Sequence, residues 1–215
     1  VGGQEDDVAD PEVRQPPFSV LHVCMGNICR SPMAERLLTA RLADLLGPTD
    51  PAPPALLYSH SAGTGGWHAG EQMNPPAARQ VAARGGDPSG FTARQLHGEH
   101  IDASELILTA TGEQASYVAA LRPDAADRTF TVCEFGRLLH EVDADQLPPA
   151  APTPAQTMTR GVALVAAANK ARGGTGPGPD DDLDDPWGLG DRFFDRIADD
   201  IELPLRKLVR ILTGR

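Results

Sequence analysis

Val20-Leu21-His22-Val23-Cys24-Met25-Gly26-Asn27-Ile28-Cys29-Arg30-Ser31-Pro32-Met33-Ala34-Glu35 is the stretch whose reading decides the fold. A largely apolar run ends in a cysteine, a short loop follows, and Ser31-Pro32 opens an alternation of apolar and charged residues. That pattern predicts a strand, a turn and a helix. Five residues separate Cys24 from Arg30, a spacing at which the loop can curl and aim its backbone amides, Gly26's among them, at one centre. The helix beginning near Ser31 points its positive end at the same place. Arg30 adds a planar fork of donors suited to two oxygens of a phosphate. A cysteine facing so much positive charge is expected to act as a thiolate nucleophile. The stretch therefore predicts a tetrahedral-oxyanion site attacked by sulfur. Cys24 is its nucleophile, Met25 to Ser31 its cradle and Arg30 its clamp.

Composition sets the limits around that site. A chain of 215 residues fits one domain with room for an insertion and a substantial core. It has no apolar run of membrane-spanning length and no charged-then-apolar signal at its start, so membrane insertion is not expected. Three cysteines, two of them in one loop, do not make a disulfide framework and suit a reducing cytoplasm. A formal charge of -11 argues against nucleic acid or an anionic membrane as partner. It also opposes long-range steering of a phosphorylated substrate, so attraction must come from the loop amides, the helix end and Arg30.

Taken in order, residues 1–17 are acidic and poor in apolar side chains, and are expected to be a flexible tail. Residues 18–215 then form a single domain. Strands are predicted at Phe18–Val23, Leu56–Ser59, Leu106–Thr109 and Thr129–Val132. Helices are predicted at Pro32–Leu46, Pro75–Arg84, Glu113–Leu121 and Arg192–Leu212, the last with a bend at Pro204. Residues 47–54 form a proline-rich connector. Between about 136 and 179 lies an insertion with helical patterning at Gly136–Val142 and Thr159–Arg172 and a glycine-proline linker at 173–179. It carries no recognisable chemistry, and a lid, a partner surface and a spacer are all open roles. Alternating strands and helices give an α/β, doubly wound three-layer sandwich on a four-stranded parallel sheet. The reactive loop sits at the carboxyl end of the first strand.

The run Cys24-Met-Gly-Asn-Ile-Cys-Arg-Ser-Pro-Met-Ala-Glu35 resembles the signature of the low-molecular-weight protein tyrosine phosphatases. Ser61-Ala62-Gly63 and Ala93-Arg94-Gln95-Leu96 resemble that family too, as does Asp182-Leu183-Asp184-Asp185-Pro186-Trp187-Gly188. The resemblance implies protein tyrosine phosphate as substrate, or a small aryl phosphate, and a cysteinyl-phosphate intermediate formed without metal or cofactor. Asp185, directly before Pro186, matches the general acid. Trp67 and Trp187 match the two aromatic walls of the substrate crevice, although Trp67 could equally anchor its glycine-rich loop. Ser31 matches the residue that stabilises the cysteine sulfur. Asn27 matches the one that holds the loop curled, and Arg94 reads as structural. Cys29 matches a redox partner that forms a reversible disulfide with the nucleophile, and a small packing residue fits the same place. Cys133 reads as a small buried hydrophobe.

Two departures stand out. Ala110-Thr111 occupy the place where the family carries Met-Asp, a carboxylate that braces the active loop. Arg84-Gly85-Gly86 stand where many relatives place a histidine before a glycine. Arsenate reductases share the fold but need further cysteines for their disulfide relay, and only Cys133 lies outside the loop. Protein-arginine phosphatases carry Thr where Ile28 stands, and Ile28 offers apolar surface to an aromatic ring. A phosphoprotein-binding module without turnover is the remaining alternative. Cys24, Arg30 and Asp185 oppose it, since binding alone requires neither nucleophile nor acid.

Overall fold

The computed structural model describes residues 16–47 and 52–215. The sheet is built from β1 (Phe18–Cys24), β2 (Leu57–Gly63), β3 (Leu106–Thr109) and β4 (Thr129–Thr131). All pairs are parallel and the spatial order is β2-β1-β3-β4. The helices are α1 (Arg30–Leu46), α2 (Pro53–Leu56), α3 (Pro75–Ala83) and α4 (Gly98–Asp102). They continue as α5 (Gly112–Leu121), α6 (Val132–Leu138), α7 (Pro154–Arg172) and α8 (Asp191–Thr213).

Period-two alternation along β1 divides the core. Phe18, Val20 and Cys24 face one side, with Leu106, Leu108 and Phe130 beside them, against α1, α6, α7 and α8. Leu21 and Val23 face the other, with Ile107, Ile101 of α4 and Val118 of α5. β1 is buried along its whole length, as a parallel strand covered on both faces must be. The doubly wound reading holds, and the strand order reverses beside β1. Ligands of open α/β sheets collect in the crevice at that switch point.

Several boundaries differ from the sequence expectation. β2 runs from Leu57 to Gly63 rather than stopping at Ser59, because its register with β1 continues to the Cys24–Gly63 pair. Val132 belongs to α6 and not to β4. Thr131 caps α6 by accepting from the Glu134 amide, and Glu134 accepts from Thr131 in return, a capping box that starts the helix four residues before Gly136. α7 begins at Pro154 behind the Thr153 cap. The connector contains the one-turn helix α2. Residues 1–15 of the expected tail and 48–51 of the connector lie outside the described residues. α8 continues through Pro204, which is buried within it.

The segment between β4 and the acidic run packs inward. Leu164, Val165 and Ala168 of α7 belong to the main core cluster. A Cβ at Gly161 would stand 2.5 Å from the ring of Phe18, so α7 lies directly on β1. Arg160, also buried, donates to the carbonyls of Ile211, Pro148 and Ala144 and ties α7 to the end of α8. Gly161→Ala is expected to lower stability by about 1–3 kcal/mol through overpacking, read as a reduced urea midpoint. An unchanged midpoint would mean that α7 does not contribute to the core.

Two histidines lie within the sheet. His22 bonds Ser59 at 3.1 Å and His60 bonds Ser19 and Ser104. Burial, and then the proximity of His60, lowers His22 from 6.5 to about 3. Burial, then Arg94 and His100, lowers His60 to about 4. Both are neutral in the fold, so below pH 6.5 the unfolded chain binds protons that the folded chain refuses. Their contribution is complete above 6.5 and declines as the pH falls toward 3–4. Each steepens acid destabilisation by up to about 1.4 kcal/mol per pH unit. Thermal melts between pH 7.5 and 5 should show a flatter pH dependence for His22→Gln than for wild type, and parallel curves would refute the assignment.

Candidate active site

The loop from Met25 to Cys29 is turned with its carbonyls outward. Cys24, Met25 and Ile28 oxygens accept from Thr64, Gly65 and Asn74 amides at 3.0, 2.9 and 2.8 Å, and Cys29 accepts from Met33 at 3.2 Å. Among the described residues, no amide from Met25 to Cys29 donates to another backbone carbonyl. With these four carbonyls engaged and the amides without a backbone acceptor, the loop holds the donors that an anion nest requires. α1 strengthens it, since its N-cap, Cys29, makes no side-chain cap and its first turn holds no acidic residue. No residue of the helix itself compensates its dipole end, and the nearby carboxylate is that of Asp185.

Asn27 holds this turn. It has φ +54, a conformation that asparagine tolerates better than most residues. Its Nδ2 donates to Ser31 at 2.9 Å and Ser61 at 2.8 Å, and its Oδ1 accepts from the Arg94 amide at 2.9 Å. Ser61 donates to Glu35 at 2.6 Å, and burial pushes the Glu35 carboxyl up despite that bond and the nearby Arg36 and Arg94. Ser31 Oγ lies 3.0 Å from Cys24 Sγ. Gly63 is required here, because a Cβ would meet the Met25 carbonyl at 2.7 Å.

A cavity of about 200 Å³ opens above the loop, lined by Cys24, Met25, Gly26, Ile28, Cys29, Arg30, Trp67, His68, Asp185 and Trp187. The structure thus brings Cys24, Arg30, Asp185 and both tryptophans to one cavity. Trp67 rests against the backbone of Gly65 and is largely exposed, as is Trp187. His68 carries no sequence signal beyond its place beside Trp67, yet its ring sits 6.2 Å from Trp67 and 5.6 Å from Trp187. Glu71 fixes it with a 2.8 Å bond to Nδ1, and a Cβ on Gly26 would touch its ring at 3.0 Å.

Arg30 is buried. It donates to the Leu183 carbonyl and to Asp185 Oδ2, both at 3.0 Å, and its Nε has no partner. Asp185 Oδ1 also accepts from the Trp187 amide. Asp184 turns away and pairs with Arg196. The two departures noted in the sequence have structural counterparts. Arg84 pairs with Asp195, Asp199 and Glu202 of α8, clamping α3 to that helix. The carbonyl of Ala110 accepts from the Leu183 amide at 2.8 Å. Cys133, half-buried on α6, lines a separate groove and not this cavity.

The fold places a cysteine, a buried arginine and a carboxylate in one cavity at the carboxyl end of β1 on a doubly wound sheet. Residues 19–151 match the family described as low molecular weight phosphotyrosine protein phosphatase, and the chain belongs to that family. A low molecular weight protein-tyrosine-phosphatase of Streptomyces coelicolor is 39% identical over 106 residues, covering 49% of this chain and 58% of the relative. The chain thus spans less than two thirds of that relative's length. A protein-arginine-phosphatase of Geobacillus stearothermophilus is 29% identical over 119 residues, 55% of this chain and 72% of the relative. In fold, the low molecular weight protein tyrosine phosphatase from T. tengcongensis superposes with a TM-score of 0.61 at 24% identity, covering 90% of this chain and 98% of its own. The family match ends before the loop that carries Asp185. That loop reaches the cavity through the fold alone.

Burial above all, then the proximity of Cys24 and Asp185, pushes the Cys29 thiol up to about 12. Burial, then Asp200, pushes Cys133 up to about 11. Both remain protonated and unreactive at neutral pH, because the thiolate is the nucleophile. Iodoacetate at pH 7 should therefore carboxymethylate one cysteine, Cys24, with no labelling of Cys24→Ser. Peptide mapping that finds Cys29 or Cys133 modified in the folded chain would contradict this.

Proposed function

We propose that the chain hydrolyses phosphate monoesters, with protein phosphotyrosine as its substrate class. The observation that carries the reading is the loop around Cys24 whose amides take no backbone acceptor among the described residues, closed by a buried Arg30 that shares one cavity with Cys24 and Asp185. Buried donors left unsatisfied are costly, and an oxyanion in the cavity supplies an acceptor for the loop amides and the guanidinium. The loop amides and the α1 terminus then hold the three equatorial oxygens as charge shifts in the transition state.

In this mechanism Cys24 sulfur attacks phosphorus in line, forming an S–P bond as the ester P–O bond breaks. Asp185 delivers its proton to the departing phenoxide. Water then attacks the cysteinyl phosphate, Asp185 accepts a proton from it, and the thiolate leaves. The Ser31 hydroxyl, 3.0 Å from the sulfur, stabilises the thiolate as nucleophile and as leaving group. Cys29, kept protonated by burial, does not compete for phosphorus.

Trp67, Trp187 and Ile28 support the choice of an aryl substrate. Two exposed indoles and the Ile28 side chain line the cavity and suit a flat apolar ring. The test is steady-state hydrolysis of a phosphotyrosine and a phosphoarginine peptide by wild type, Cys24→Ser and Asp185→Ala. Phosphotyrosine should turn over, Cys24→Ser should be inactive, and Asp185→Ala should lose about two or more orders of magnitude in kcat. Preferential turnover of phosphoarginine would transfer the chain to the other substrate class. Binding without phosphate release would replace hydrolysis with recognition.

A further inference from the structure

We propose that the acid loop positions Arg30 as well as supplying Asp185, and that Asp182 is the positioning residue that anchors it. The inference rests on the phosphatase reading above and assigns a second role within the same site. Ala110-Thr111 stand where a bracing carboxylate would be expected, and neither side chain can supply one. Arg30 is held by the acid loop in its place. Its Nη1 donates to the Leu183 carbonyl and its Nη2 to Asp185, both at 3.0 Å. A void of about 10 Å³ remains between Arg30, Ala110 and Leu183.

The loop can hold Arg30 only if it is itself fixed, and its anchors are specific. The Leu183 amide donates to the Ala110 carbonyl at 2.8 Å, and its side chain is buried in the core. Thr131 Oγ1 donates to the Asp181 carbonyl at 2.7 Å, and Arg137 pairs with the Asp181 carboxylate. Asp182 Oδ1 accepts from the Gly112 amide at 2.7 Å. That amide opens α5, whose own N-cap residue, Thr111, makes no side-chain cap. Asp182 thus caps α5 from seventy residues away and pins the residue next to Leu183.

Loop docking and Arg30 presentation are therefore one event. With the loop docked, Leu183 keeps Nη1 while an incoming phosphate takes Nε and displaces Asp185 from Nη2. That displacement frees the Asp185 carboxyl to meet the leaving oxygen. With the loop undocked, Arg30 loses both acceptors and the cavity loses its acid.

The experiment compares Asp182→Ala, Asp182→Asn and Asp185→Ala with wild type. Inorganic phosphate affinity is read by calorimetry without turnover, and kcat is read on a phosphotyrosine peptide. Asp182→Ala should weaken phosphate binding by about tenfold, the loss of one charge-assisted hydrogen bond's worth of preorganisation, and should lower kcat as well. Asp182→Asn keeps an Oδ1 acceptor for Gly112 and should restore both. Asp185→Ala should lower kcat while retaining phosphate affinity, because Leu183 still holds Arg30. A purely structural cap would lower the melting temperature of Asp182→Ala and leave phosphate affinity unchanged, and that result overturns the proposal. If wild type binds phosphate but hydrolyses no phosphotyrosine, the functional reading fails, and the affinity pattern of the variants still decides this one.

Discussion

The site depends on a backbone turned against its usual habit. Peptide carbonyls outnumber other acceptors in any loop, and a loop free to choose would point some of them at an incoming anion. Here the carbonyls of Cys24, Met25 and Ile28 are claimed from outside by Thr64, Gly65 and Asn74, and that of Cys29 by the first turn of α1 through Met33. Asn27 then fixes the reversal with a positive φ and three side-chain hydrogen bonds. The rest of the neighbourhood serves this turn. Gly63 is bare so that β2 can approach it, and Ala93 to Leu96 run alongside the end of β2, pairing with Gly63 on both its amide and its carbonyl. Preorganisation of this kind is what gives electrostatic stabilisation its value, since no reorganisation remains to be done during reaction.

The acidic run before Pro186 illustrates how composition is resolved by geometry. Five aspartates lie between 180 and 185, yet the four from 181 to 185 that the structure partners go to four different places. Asp181 takes Arg137, Asp182 the start of α5, Asp184 Arg196 and Asp185 Arg30. Only the last faces the cavity. The run is a loop nailed down at successive residues, and its length reflects the number of anchors as much as the need for an acid.

Much of this was legible before the structure, for identifiable reasons. The strands and the long helices announced themselves because apolar periodicity is a local property. The loop was legible because Cys24, Gly26, Asn27, Arg30 and Ser31 fall within eight consecutive residues. What stayed hidden was long-range. His68 enters the site through a fold contact with Gly26 and Trp187, and a histidine in a glycine-rich loop gives no sign of that. The start of α6 was misplaced because Val132 read as the last residue of the strand, whereas the Thr131–Glu134 capping box decides the boundary. The segment from 136 to 179 showed no chemistry, and nothing in its pattern announced that Leu164, Val165 and Ala168 of α7 would join the core. Gly161, which reads as a weak point in a helix, is the position that lets α7 lie against Phe18.

The overall charge of -11 opposes a site for phosphate, and the resolution lies in how that charge is distributed. Exposed charges are screened beyond about 8 Å at physiological ionic strength, so only those near the mouth of the cavity matter. Several carboxylates of the acid loop and α8 are also neutralised by partners. Asp184 meets Arg196, Asp191 meets Arg79, and Asp195 and Asp199 meet Arg84. Arg30, by contrast, is buried, where its field is screened least. Its one carboxylate partner among the described residues, Asp185, is half-exposed and can be displaced by a better anion. The acidic surface therefore limits the rate of encounter at low salt more than it limits binding. Raising ionic strength relieves the repulsion outside while leaving the buried guanidinium and the amides of the loop as they were.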